Sequence, residues 1–241
     1  MHAMRHQVFC NIPWVEVHIN ADGTYHSCGA QPNTVSNTLS GTFNNVHQLT
    51  IPEWINTTHQ CNARLGKLNG VSESLCGMCY KEESVGSSSK RVKENLKSGI
   101  SQLHFVKDYV SSPHYPMFEY STGHGGKTDN LRPFSFHISL GNECNLACKM
   151  CGPTASSRLA AEGIKEGTYH GPVLMNWTKD DTSWNHVVDY MCSTEDLRFV
   201  HIIGGEPLMN RRFEDLVDRL LVANKTDIYF GFTTKIGRAH V

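Results

Sequence analysis

Apolar and polar residues alternate over Phe134-Ser-Phe136-His-Ile138-Ser-Leu140 and stop at Gly141, which predicts a half-buried strand. The next clear pattern is Phe199-Val-His-Ile-Ile203, a short apolar run that suits a buried parallel strand. Phe213, Leu216, Val217, Leu220 and Leu221 then recur at helical spacing, and Ile228-Tyr-Phe230-Gly-Phe232 supplies a third strand candidate. Between the first two strands, Thr154 or Ser156 can cap a helix through Ala155–Glu162 that Gly163 ends. Val187-Val188 and Tyr190-Met191 mark a short helix further on. Strand–helix–strand–helix–strand is the opening half of a parallel (β/α) barrel.

The first half of the chain reads differently. Val15-Glu-Val17-His-Ile19 alternates like a strand, Asp22-Gly23 offers hairpin turn residues, and Thr24-Tyr25-His26-Ser27 returns toward Cys28. That hairpin would bring Cys10 and Cys28 to the same end. Thr50-Ile-Pro52-Glu53 is a capping box. The helix it predicts carries Trp54, Cys61, Leu65 and Leu68 on one stripe and ends at Asn69-Gly70. Cys61 therefore reads as core, and the isolated Cys192 as packing. Gly86-Ser-Ser-Ser89 can cap a short helix through Leu96. No period is sustained from Gly99 to Pro133, where prolines and glycines predict a loop-rich connector.

Composition narrows the classes. The 241 residues hold 22 basic and 23 acidic side chains, so charge gives no case for a nucleic-acid or membrane partner. The start lacks the apolar run of a signal peptide, and no stretch is long enough to span a bilayer. Nine cysteines in such a chain argue for metal ligands rather than disulfides, with a cytoplasmic location as the default. Lys235-Ile-Gly-Arg-Ala-His-Val241 follows the last strand with no turn logic and matches the in-frame translation of a sequencing-adapter oligonucleotide. Residues 235–241 are expected to be a non-native tail, with the natural chain continuing further.

The densest chemistry is Cys144-Asn-Leu-Ala-Cys148-Lys-Met-Cys151. Thiolates are soft ligands suited to zinc, copper(I) or iron–sulfur clusters. Three are one short of a closed tetrahedral set, and an open coordination position is what chemistry needs. The spacing differs from both ferredoxin patterns. It reads as an iron–sulfur site with one vacancy, or as half a zinc site completed from elsewhere. The loop also follows a predicted strand, where barrel enzymes build active sites.

Cys144, Cys148 and Cys151 resemble the cluster loop of the radical S-adenosylmethionine (SAM) enzymes. The resemblance implies a [4Fe–4S] cluster whose free iron is chelated by SAM. Reductive cleavage of SAM then yields a 5′-deoxyadenosyl radical that abstracts hydrogen from a substrate. The residue before the third cysteine is usually aromatic and lies near the adenine. Here it is Met150, whose thioether can also pack on a flat ring. Gly204-Gly205-Glu206-Pro207, after the second strand, looks like the family's GGEP motif, in which the backbone and the Glu contact the amino group of SAM.

Cys10, Cys28 and the Cys76-Gly-Met-Cys79 pair make four ligands for a closed iron–sulfur or zinc site. Cys10-x-x-Pro-Trp, the Asp-Gly hairpin, Cys28, the Trp54 helix and the final C-x-x-C together resemble a twitch domain, the short form of the SPASM auxiliary-cluster module. In the better-known members this module follows the barrel, whereas here it precedes it. The expected fold is α/β, with a small α+β twitch-like domain over 7–97, a connector over 98–133, and the first half of a radical SAM barrel over 134–234. The resemblance implies an electron donor such as flavodoxin or ferredoxin and a substrate that is a peptide or protein. A non-catalytic iron–sulfur or zinc module for electron transfer or partner docking is the alternative.

Overall fold

The computed structural model describes residues 7–30, 44–128 and 133–234. The expected non-native tail lies outside these residues. The fold is mixed α/β around a five-stranded sheet in the order β2-β1-β3-β4-β5. Its strands are β1 (Glu16–Ile19), β2 (Tyr25–His26), β3 (Ser135–Ser139), β4 (Phe199–Ile203) and β5 (Tyr229–Phe232). Strands β3, β4 and β5 are parallel, with Ser139 opposite Ile203 and Ile202 opposite Phe232. Strands β1 and β2 form an antiparallel hairpin with His18 opposite His26. Gly23 turns it at φ +83°, and a Cβ there would meet Val46 Cγ2 at 2.8 Å.

The chain forms two compact units that interleave along the sequence. The first gathers the described residues within Met1–Glu16, Ser27–Phe43 and Pro52–Pro133. The second gathers those within Val17–His26, Asn44–Ile51 and Phe134–Val241. The hairpin predicted beside the N-terminal cysteines thus adds its strands to the sheet of the second unit.

In the second unit the alternation read from the sequence sorts the side chains. Phe136, Ile138, Val200 and Ile202 are buried, while His137, Phe199, His201 and Ile203 are half-buried. The buried face packs toward the helix Asp181–Ser193, where Phe136 meets Tyr190 with ring centroids 6.4 Å apart. That helix contributes Trp184, Val187, Val188 and Met191 to the core, and the helix Arg212–Val222 adds Leu216 and Leu220. The i, i+4 spacing of Leu216 and Leu220 follows from the helical stripe. The helix after the cysteine loop spans Ser157–Glu166, not Ala155–Glu162. Ser156 caps it by accepting from the Leu159 amide, and Gly167, at φ +70°, ends it one turn beyond the expected Gly163.

The first unit is helical, and its core is aromatic. Phe9 lies 5.2 Å from Phe118 and Trp14 lies 5.1 Å from Phe118, centroid to centroid, in edge-on geometry. Phe105 and Tyr109 complete the group. These last residues correct the expected connector, because helices occupy Phe105–Ser111 and Tyr115–Gly123. Each is too short to show a sustained period, so the sequence pattern misses them. The helix predicted from Thr50 is also two helices, Ile51–Ile55 and Thr58–Asn69. Thr57 breaks it, since its hydroxyl donates to Trp54 O (2.9 Å) and accepts from the Gln60 amide (3.4 Å), starting a new helix. Gly70 ends that helix at φ +74°, and Ser89 caps the helix Lys90–Lys97, both as the sequence implied.

Candidate functional site

The loop from β3 is held down before its first cysteine. Asn142 is fully buried, and its Nδ2 donates to Val173 O (3.0 Å) and Pro153 O (3.3 Å). Its Oδ1 accepts from the Met175 amide at 2.7 Å. The backbone joins in, with the Asn142 amide donating to Met175 O (2.9 Å) and the Ser157 amide donating to Asn142 O (2.7 Å). The Cys144 amide donates to Ser157 Oγ at 3.1 Å, and the Leu146 amide points at Cys144 Sγ from 3.4 Å. Ser156 Oγ donates to Leu146 O at 2.8 Å. The cysteine loop is therefore stitched to the first turn of the helix Ser157–Glu166. Cys144 and Cys148 are half-buried and Cys151 is exposed, all three free of disulfides. Met150, expected beside an adenine, is 94% exposed.

Strand β4, the parallel neighbour of β3, ends in Gly204-Gly205-Glu206-Pro207 beside that loop. Both glycines have positive φ, +77° and +53°. A Cβ on Gly204 would sit 1.9 Å from Ser139 Oγ, and one on Gly205 would sit 2.6 Å from Glu143 O. Only glycine fits either position. The Gly205 amide donates to Ala155 O (3.1 Å) and the Glu206 amide to Glu143 O (2.8 Å). The Glu206 carboxylate accepts from the Thr234 hydroxyl at 2.7 Å and from the Leu208 amide at 3.4 Å. Pro207 opens the 3-10 turn Pro207–Met209, and Asn210 then donates to Leu140 O at 3.0 Å. The two motifs, about sixty residues apart in sequence, are one connected surface at the ends of adjacent parallel strands.

In the first unit, Cys10, Cys28, Cys76 and Cys79 line one cavity together with Ile12, Leu75, Met78, Lys90 and Arg91. Burial pushes the Cys10 thiol up, helped by nearby Cys28. Burial pushes the Cys28 thiol to about 11, and the Glu16 carboxylate adds to it. Lys90 is paired with Glu16 at 2.7 Å, and Arg91 pairs with Glu83 while donating to Phe9 O at 2.9 Å. The Lys67 ammonium donates to Cys76 Sγ at 2.9 Å. Cys61 is buried outside this cavity, as its stripe implied, with its Sγ 3.6 Å from Asn56 O.

Among the described residues, no group of three or more His, Cys, Asp or Glu side chains is arranged to hold a metal ion. A cluster that takes one cysteine per iron does not ask several donors to converge on one ion. The three sulfur donors of the 144–151 loop are of the type that suits such a cluster.

Several residues around the site carry no local sequence signal. Ser139 and Asn142 become visible only when the strand ends meet. A row of imidazoles also crosses the sheet. His18 and His26 lie 6.0 Å apart, His18 and His137 6.2 Å, and His137 and His201 5.7 Å, centroid to centroid. Asn20 bridges the first pair, 3.1 Å from His18 Nε2 and 2.9 Å from His26 Nε2. The period-two positions of these histidines were legible in the sequence, but the pairing of their strands was not. No helix among the described residues is long and apolar enough to cross a membrane. The chain matches no protein-family model, no curated protein and no solved structure.

Proposed function

We propose that the chain carries the first half of a radical SAM enzyme core, preceded by a twitch-like module. The observation that carries this reading is the Glu206 amide bonded to Glu143 O, with Gly205 laid against the same loop. It sets a three-cysteine loop and a Gly-Gly-Glu-Pro turn side by side at the ends of parallel strands. Cys144, Cys148 and Cys151 would hold a [4Fe–4S] cluster, each binding one iron and leaving a fourth open. Gly204 and Gly205 let the turn lie directly against the loop, where a Cβ would meet Ser139 Oγ and Glu143 O. Glu206 would receive the ammonium group of SAM through a charge-assisted hydrogen bond, its carboxylate already oriented by Thr234. When bound, the cluster and SAM would supply a 5′-deoxyadenosyl radical for hydrogen abstraction; the protein orients them and excludes side reactions.

The four-cysteine cavity of the first unit would hold an auxiliary iron–sulfur cluster, and a low-potential donor such as flavodoxin or ferredoxin would feed electrons. A peptide or protein substrate fits the company such modules keep. Anaerobic reconstitution of the full chain with iron and sulfide tests the reading. SAM should perturb the EPR signal of the reduced cluster, and replacing Cys148 with Ala should abolish that response. Stoichiometric zinc with no effect of SAM would instead support a metal-binding module without catalysis.

A further inference from the structure

Lys67 is the third-last residue of the helix Thr58–Asn69, yet its side chain is only 2% exposed. Burying an ammonium is costly unless it is paired and hydrogen-bonded. Glu73 lies 3.6 Å from Lys67 Nζ. The shorter contact, at 2.9 Å, is to Cys76 Sγ, and the Tyr80 ring centroid lies 5.9 Å away. The Glu73 side chain is fixed over the same helix, where a Cβ on Gly66 would meet Glu73 Oε1 at 2.7 Å. Cys76 is also the N-cap of the helix Gly77–Ser84. Lys90 and Arg91, the other cations around the cavity, pair with the carboxylates of Glu16 and Glu83.

We propose that Lys67 is a positioning residue of the four-cysteine cavity, donating its ammonium hydrogen bond to the Cys76 sulfur and raising the reduction potential of an iron–sulfur cluster bound there. The inference rests on the auxiliary-cluster reading of that cavity. Hydrogen bonds to coordinating sulfur and nearby positive charge are main determinants of cluster potential. One electron arrives from the reductant, and no bond is made or broken.

The test uses the full chain with Cys144, Cys148 and Cys151 all replaced by Ala, so that only the N-terminal cavity can report. After anaerobic reconstitution, iron content and EPR-monitored redox titration with dithionite are compared across variants. Lys67→Met should keep its iron and shift the potential negative, and Lys67→Arg should restore most of the shift. Glu73→Gln removes the competing carboxylate and should shift the potential positive, which gives a second reading if Lys67→Met fails to fold. Iron retained with potentials unmoved by Lys67→Met, or by Glu73→Gln where Lys67→Met does not fold, would overturn the role of Lys67 while leaving the cluster in place. No iron and no EPR signal in the parent triple variant would overturn the auxiliary-cluster reading itself, and the inference with it.

Discussion

The backbone amide of Glu206 donates to the carbonyl oxygen of Glu143 across 2.8 Å. That bond ties the turn after β4 to the loop after β3, one residue before Cys144. It makes the Gly-Gly-Glu-Pro turn sensitive to anything that pushes the cysteine loop, and the reverse.

Gly205→Ala is the sharpest local probe of that contact. The new Cβ would meet backbone, Glu143 O at 2.6 Å and Gly141 O at 3.0 Å, which cannot swing aside. The residue would also sit at φ +53°. Strain at such positions costs about 1–3 kcal/mol, and the clash adds to it. Gly99→Ala is the control, since Gly99 has φ +74° but nothing within 4 Å of an added Cβ. Thermal denaturation should show the larger loss for Gly205→Ala, and calorimetry should show that it alone loses SAM binding.

Asn142→Ala should loosen the base of the cysteine loop. It removes three side-chain hydrogen bonds, to Val173, Pro153 and Met175, from a fully buried position. Leaving buried groups unsatisfied costs about 1–3 kcal/mol. Hydrogen exchange should accelerate at the Met175 amide, and iron retention by the loop should fall. Unchanged exchange there would show that the loop is held by its backbone bonds alone.

Thr234→Val separates orientation from folding. The Thr234 hydroxyl donates to Glu206 Oε1 at 2.7 Å, and its residue is half-buried at the end of the described chain. Stability should change by no more than about 0.5 kcal/mol. SAM binding should weaken several-fold, with Glu206→Gln weakening it further. Equal affinity for wild type and Thr234→Val would remove Thr234 from the site.

Metal uptake by the N-terminal cavity should be coupled to protons. Burial holds the Cys10 thiol above its ordinary range and Cys28 at about 11, so both are protonated at neutral pH in the metal-free protein. Ligation requires thiolates, so filling the cavity expels protons and affinity rises with pH. Competition with a chromophoric chelator at pH 6.5 and pH 8.5 should show tighter zinc binding at the higher pH. A flat profile would mean that the thiols are not the ligands.

The elements around the candidate site were legible because their signals are local. The alternation at 134–140, the apolar run at 199–203 and the stripe from Phe213 to Leu221 each need only a few residues to declare a period. The cysteine spacing and the two adjacent glycines are local in the same sense. The contacts that join them are not. Ser139 looked like any polar strand position until Gly204 came against its hydroxyl, and Asn142 looked like a loop residue although it is fully buried. The missed helices, Phe105–Ser111 and Tyr115–Gly123, are two turns each and are held by aromatic packing on Phe9 and Trp14 from the other end of their unit. Lys67 carries no local signal in the sequence and becomes informative only through its contact with Cys76.

The central claim is that the Cys144–Cys151 loop and the Gly204–Pro207 turn together form a cluster site open to SAM. The most direct measurement is EPR of the anaerobically reconstituted, dithionite-reduced full chain with Cys10, Cys28, Cys76 and Cys79 replaced by Ala, recorded with and without SAM. A [4Fe–4S] signal whose g-values move when SAM is added, and that is lost on Cys148→Ala, is the predicted result. A signal indifferent to SAM, or iron retained in full after Cys148→Ala, would contradict the account.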